Sequence, residues 1–183
     1  VNLRNLLTAS TAAGIAMLAA GVAQAAAVTQ TANATAQIIS PITITKNQDL
    51  SFGKVAVPTN GSNNVVTIAS ANNATATVSG AGNGYVASNV GAQAAKFTLN
   101  GYTNDSFSSL SATLSTMTDG TNNLTSVGTE TPVVASGATG SGTGPYTLTA
   151  NTAVIYVGAH FTVTPTTPPS TYTGTMTLSL NYP

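Results

Sequence analysis

One histidine and four acidic residues carry nearly all the proton-transfer and metal-binding potential of this chain: His160, Asp49, Asp105, Asp119 and Glu130. A histidine works as a general base or a metal ligand only beside a nucleophile, an orienting carboxylate or further ligands. His160 stands in Val157-Gly-Ala-His-Phe-Thr-Val163, where period-two alternation sets it opposite Val157, Ala159, Phe161 and Val163. That pattern predicts an exposed strand histidine, and nothing in the spacing of the four acids indicates a paired-carboxylate site. Asp105 and Asp119 occupy turn contexts, Thr-Asn-Asp-Ser and Asp-Gly, where a carboxylate caps nearby backbone. Asp119-Gly-Thr-Asn-Asn123 lacks the alternate carboxylates and distal Glu of an EF-type calcium loop, so a plain turn is expected. The glycine-rich stretches Gly80–Gly84 and Gly137–Gly144 have no following Lys-Ser/Thr and no helix to receive a phosphate. With no cysteine there is neither a disulfide framework nor a thiolate nucleophile. The expectation is a protein without catalytic, cofactor-binding or metal residues: not an enzyme, and with no cofactor.

The elements that hold these residues read as strands. Only 4% of the chain is charged, against roughly 25% in an ordinary soluble domain. The polar surface therefore falls to Thr, Ser and Asn, which suit strands and turns better than helices. A hydrophobic content of 42% argues against disorder. Alternating segments predict strands at Thr35–Ile39, Ile42–Lys46, Leu50–Val57, Asn64–Ala69, Thr75–Ser79, Lys96–Leu99, Leu110–Thr116, Tyr146–Leu148, Ala153–Val163 and Tyr172–Tyr182. Asn60-Gly61, Asn83-Gly84, Asn100-Gly101 and Asp119-Gly120 supply turns between them. Ser136 to Pro145 reads as a flexible loop. The fold expected is all-β, an immunoglobulin-like antiparallel sandwich of roughly 7–10 strands, in a single domain over residues 41–183. An outer-membrane barrel is the structural rival, but it needs aromatic girdles, and aromatics are 5% of the chain with no Trp.

Residues 1–25 read as a cleaved export signal: Arg4, then an Ala- and Leu-rich run, then Ala23-Gln24-Ala25 as an A-x-A cleavage site. Beyond it, three lysines face four acids, so no electrostatic case for nucleic acid exists and no membrane-spanning segment is expected after cleavage. Export through the inner membrane to the cell surface or medium, with a periplasmic stage, follows from the signal. Residues 26–40 are either an N-terminal extension or a first strand. There Val28, Ala32, Ala34, Ala36 and Ile38 share one face, interrupted by Gln30.

Three stretches carry a family resemblance. They are Pro41-Ile-Thr-Ile-Thr-Lys-Asn-Gln-Asp-Leu-Ser-Phe-Gly53, Val157-Gly-Ala-His-Phe-Thr-Val163 and Tyr172-Thr-Gly-Thr-Met-Thr-Leu-Ser-Leu-Asn-Tyr182. Together they resemble the DUF4402 family of exported bacterial proteins, with Ala159 where that family usually has Gly. The resemblance implies a fold and an exported address rather than an activity. The closing motif is also similar to that of spore-coat-U-like and archaic chaperone–usher pilus subunits. That likeness implies an incomplete sandwich, completed first by a periplasmic chaperone and then by the N-terminal strand of a neighbouring copy. Tyr172, Met176, Leu178, Leu180 and Tyr182 would line the accepting edge, and Val28, Ala32, Ala34, Ala36 and Ile38 would face inward from the donor. The chain departs from disulfide-bearing pilins in having no cysteine. The expected function is a structural, pilus- or fimbria-like subunit whose partners are further copies of itself and a chaperone. The alternative is a self-complete monomeric sandwich that binds a surface glycan or protein.

Overall fold

The computed structural model describes residues 28–38, 40–141 and 144–182. The expected signal at 1–25, its cleavage point and Ile39 lie outside the described residues. Residues 28–37 belong to a unit separate from the body that begins at Ile38. No strand forms over residues 28–38, so the one expected at Thr35–Ile39 is absent over its described residues. Its alanines offer little area to bury, and Ile38 is exposed.

Among its described residues the body has fifteen antiparallel strands. They are β1 (Thr43–Gln48), β2 (Lys54–Ala56), β3 (Asn64–Ile68), β4 (Ala76–Ser79), β5 (Tyr85–Ser88), β6 (Ala95–Asn100), β7 (Ser106–Phe107) and β8 (Ser109–Leu114). There follow β9 (Thr125–Thr129), β10 (Val133–Ser136), β11 (Ala138–Thr139), β12 (Tyr146–Leu148), β13 (Thr152–Val157), β14 (Ala159–Val163) and β15 (Met176–Asn181). Two four-stranded sheets, ordered β1-β6-β13-β10 and β4-β3-β14-β9, form the main layers. The pairs β8–β15 and β2–β5 and the small sheet β11-β12-β7 complete the set. The protein is an all-β antiparallel sandwich, as its alternation predicts, with strands shorter and more numerous than expected.

Two apolar clusters fill it. One gathers Phe97, Leu99, Phe107, Tyr146, Leu148 and Ile155, with Leu178 from β15. Phe107 and Tyr146 stack within it, centroids 4.9 Å apart. The other gathers Phe52, Val66, Ile68, Tyr156, Phe161 and Val163, and here Phe52 meets Phe161 edge to face at 4.8 Å.

The single strand expected over Ala153–Val163 is two strands in two sheets. Ala153, Ile155 and Val157 enter the first cluster, whereas Ala159, Phe161 and Val163 enter the second. The change falls at Gly158, whose N–H donates to Ser70 Oγ at 2.8 Å and whose carbonyl accepts from Glu130 N at 3.0 Å. Unbroken alternation of apolar residues hides such a crossing, and glycine is its only mark.

Leu50–Val57 also shortens to Lys54–Ala56, with an isolated bridge between Ser51 and Gln93. Gly53 interrupts it with φ of 71°, and a Cβ there would lie 2.3 Å from the Ser88 carbonyl oxygen. Within the expected loop at Ser136–Pro145, Ser136 ends β10 and Ala138–Thr139 pairs with β12. Strands β5, β9 and β10 fall where no strand was expected: β5 and β10 have four residues each, too few to show a period, and Thr, Ser and Gly blur the alternation of β9.

Candidate functional site: an open sheet edge over a groove

Any acid–base or metal chemistry would fall to the histidine and the carboxylates. His160 is half-exposed and its Nδ1 lies 2.8 Å from Glu130 Oε1. This pairing escaped the sequence because it depends on β9, whose Gly128 stands opposite His160 in the ladder. A Cβ on Gly128 would come within 2.8 Å of the ring, so the glycine makes room for the imidazole. Among the described residues no hydroxyl is bonded to the ring and no three His, Cys, Asp or Glu side chains are grouped to hold a metal.

Asp105 and Asp119 cap turns. Asp105 Oδ2 accepts from Tyr102 N at 2.7 Å. Asp119 Oδ1 accepts from Asn122 N at 2.6 Å and Thr121 N at 2.9 Å. These bonds, that from Asn122 N foremost, lower the Asp119 pKa to about 2. A depressed carboxylate stabilises the fold above its unfolded pKa, near 3.8, and that contribution disappears as pH falls through about 2. In thermal melts, Asp119→Asn is expected to lower Tm at neutral pH. The gap to the parent should narrow below pH of about 4 and close near pH 2; a pH-independent gap would refute the assignment.

The five edge residues expected from the sequence lie together in part. Strand β15 begins at Met176, not Tyr172: Thr173 makes only an isolated bridge to Thr118, and Thr175 N turns to the Ser115 side chain at 2.8 Å. Tyr172 thus sits in the segment leading to the strand, with its hydroxyl donating to the Pro168 carbonyl at 2.9 Å. From Met176 to Asn181 every residue pairs with β8, in register from Leu114 to Ser109. Leu178 is buried in the first cluster, and Met176 and Leu180 pack against it half-buried. Thr177, Ser179 and Asn181 are exposed.

On its other side β15 has no strand partner among the described residues. Ser115 N donates to Thr175 O, and bonded positions alternate along an antiparallel pair. The N–H and C=O groups of Met176, Leu178 and Leu180 therefore face the unpaired side. Strand β1 is likewise the edge of its sheet.

The two edges face one another. At one end the Tyr182 hydroxyl donates to the Ile42 carbonyl at 3.2 Å and accepts from the Ile42 N–H. At the other end Lys46 and Gln48 from β1 and Met176 from β15 border one groove of about 760 Å³. Leu50, Phe52, Phe97, Leu114 and Met117 line it as well. The strands run in opposite directions along the gap. The resemblance implied an open edge along the C-terminal strand, but nothing in the sequence marked the facing wall at residues 46–57, far from residues 167–176 in the chain.

The fold and site define a class: an antiparallel sandwich with two unpaired edges flanking a groove of mixed polar and apolar lining. A family model described as a domain of unknown function, DUF4402, matches residues 42–182, and the chain belongs to that family. No curated protein and no solved structure matches it. The first family motif now has a physical reading. Lys46 Nζ and Asp49 Oδ1 form an exposed ion pair at 2.6 Å, while Phe52 and Gly53 anchor the chain as described above. Among the described residues no helix is long and apolar enough to cross a membrane.

Proposed function

We propose that this chain is an exported, non-enzymatic structural subunit of the bacterial surface, pilus- or fimbria-like, that assembles by β-strand addition. The observation that carries the reading is the unpaired edge of β15 beside a groove that Leu50, Phe52, Leu114 and Met117 help to line. Isolated edges are usually blunted by charge, proline or a covering element. Met176–Asn181 has no charge and no proline. An added strand gains main-chain bonds from such an edge and fits alternate side chains into the groove.

The donor is the segment 28–38 of a second copy. It carries no strand of its own, and Val28, Ala32, Ala34, Ala36 and Ile38 are all exposed. A six-residue edge needs about 20 Å of extended chain, which this segment exceeds. A periplasmic chaperone would take the same edge before assembly. The alternative, a self-complete surface sandwich, draws support from the same groove, which has the size of a small-ligand site.

The test compares the chain from Ala26 with the same chain lacking residues 28–38, by size exclusion with light scattering. The longer chain is expected to form polymers that persist on dilution, and the deletion to remain monomeric with an unchanged Tm. Monomers in both preparations would sink strand addition and favour the ligand-binding alternative.

A further inference from the structure

We infer that Tyr182 is a latch on the open edge, holding the hydrogen-bonding groups that an added strand must take over. The inference rests on the strand-addition reading and deepens it. Ile42 is buried at 7% exposure, yet it lies at the start of an edge whose outward side meets no strand. Its N–H and C=O are both met by one phenol, since Tyr182 Oη accepts from the first and donates to the second. A hydroxyl can fill both roles at once. A neighbouring strand satisfies an edge residue in the same paired way.

Tyr182 comes from the far side of the gap, one residue beyond β15, and its ring spans the space to β1. Adjacent strands lie about 4.8 Å apart; a side chain stretched across a wider gap stands where an intervening strand would lie. The ring is 40% exposed, so it can swing outward without first disrupting the core. At the opposite end, among the described residues, no side-chain hydrogen bond bridges Gln48 to Met176 across the groove. A strand entering there pairs along Met176–Leu180 and reaches Ile42 last. The phenol must leave before pairing with β1 is complete. Tyr182 therefore slows spontaneous self-association, and it fixes where the added strand ends.

The experiment uses the full chain, its Tyr182→Phe variant and a control, Val134→Ala. Val134 packs half-buried against the same cluster from β10, away from the gap. Association is followed by light scattering, and exchange of the Ile42 amide by NMR. Tyr182→Phe keeps the ring and removes the hydroxyl. It is expected to speed association by roughly tenfold, the factor that follows from losing about 1.4 kcal/mol of hydrogen bonding. The Ile42 amide should exchange faster in the same variant. Val134→Ala, at a comparable or lower Tm, should do neither. Equal association rates for parent and Tyr182→Phe overturn the latch and leave strand addition standing, as does an unchanged Ile42 exchange rate. A matching acceleration in Val134→Ala also overturns it, by assigning the effect to lost stability. If neither the parent nor Tyr182→Phe associates, strand addition fails and the latch fails with it.

Discussion

Gly158→Ala is expected to lower the stability of the fold by roughly 3–4 kcal/mol, at the upper end for an overpacked core position. An added Cβ would lie 1.9 Å from the Ile68 carbonyl oxygen, 2.6 Å from Ala69 C and 2.8 Å from Ser70 N. All three are backbone atoms of the segment leaving β3, so no rotamer change relieves the contact. Relief must come from moving β3 or the β13–β14 crossing, and both carry fully buried side chains such as Ile68 and Val157. Movement also lengthens the bond from Gly158 N to Ser70 Oγ, whose atoms have no water to turn to. In a domain of this size the loss amounts to a fall in Tm of roughly 10 °C. Gly91→Ala is the control: its φ is +77°, with nothing within 4 Å of the added carbon. It should cost about 1 kcal/mol from backbone strain alone. Comparable melting curves for the two variants would show that the crossing tolerates a side chain.

Asn64→Leu is expected to cost about 3 kcal/mol, for a different reason. Asn64 is 2% exposed, and its amide holds the turn between β4 and β5. Nδ2 donates to Ser79 O and Gly82 O, each at 3.0 Å, and Oδ1 accepts from Gly84 N at 2.8 Å. Leucine leaves three backbone groups without a partner, and each costs about 1–3 kcal/mol when buried. Relaxation of the turn toward water recovers part of that. The glycines at 82 and 84 are there for this side chain, since a Cβ on either would fall within 2.7 Å of Asn64 Oδ1. Chemical denaturation is the direct measurement; a midpoint shift equivalent to under about 1 kcal/mol would mean that the turn holds without the amide.

Asn64 also illustrates what a sequence conceals. The sequence marks it only as the first residue of an expected strand, and its role exists only once residues 79–84 fold over it. Alternation from Met176 to Tyr182 was legible, because each residue's environment there follows from its parity. The same rule misled at Tyr172–Thr175, where parity persists but the backbone leaves the ladder at Ser115 Oγ. His160 and Glu130 were both noticed as isolated charges. Their contact depends on the register of Thr125–Thr129, a strand whose Thr, Ser and Gly show no alternation. Local pattern reached the strands; relations between distant segments stayed beyond it, and the groove is such a relation.

The crossing at Gly158 carries one more consequence. One uninterrupted stretch, Ala153 to Val163, threads both apolar clusters, giving Ala153, Ile155 and Val157 to one and Tyr156, Ala159, Phe161 and Val163 to the other. Neither cluster can come apart while the other keeps this stretch in place. The two cores therefore form one cooperative unit, whose unfolding is all-or-none rather than stepwise. Were the chain to assemble by strand addition as proposed, this stretch would join the two halves of the sandwich into a single mechanical element.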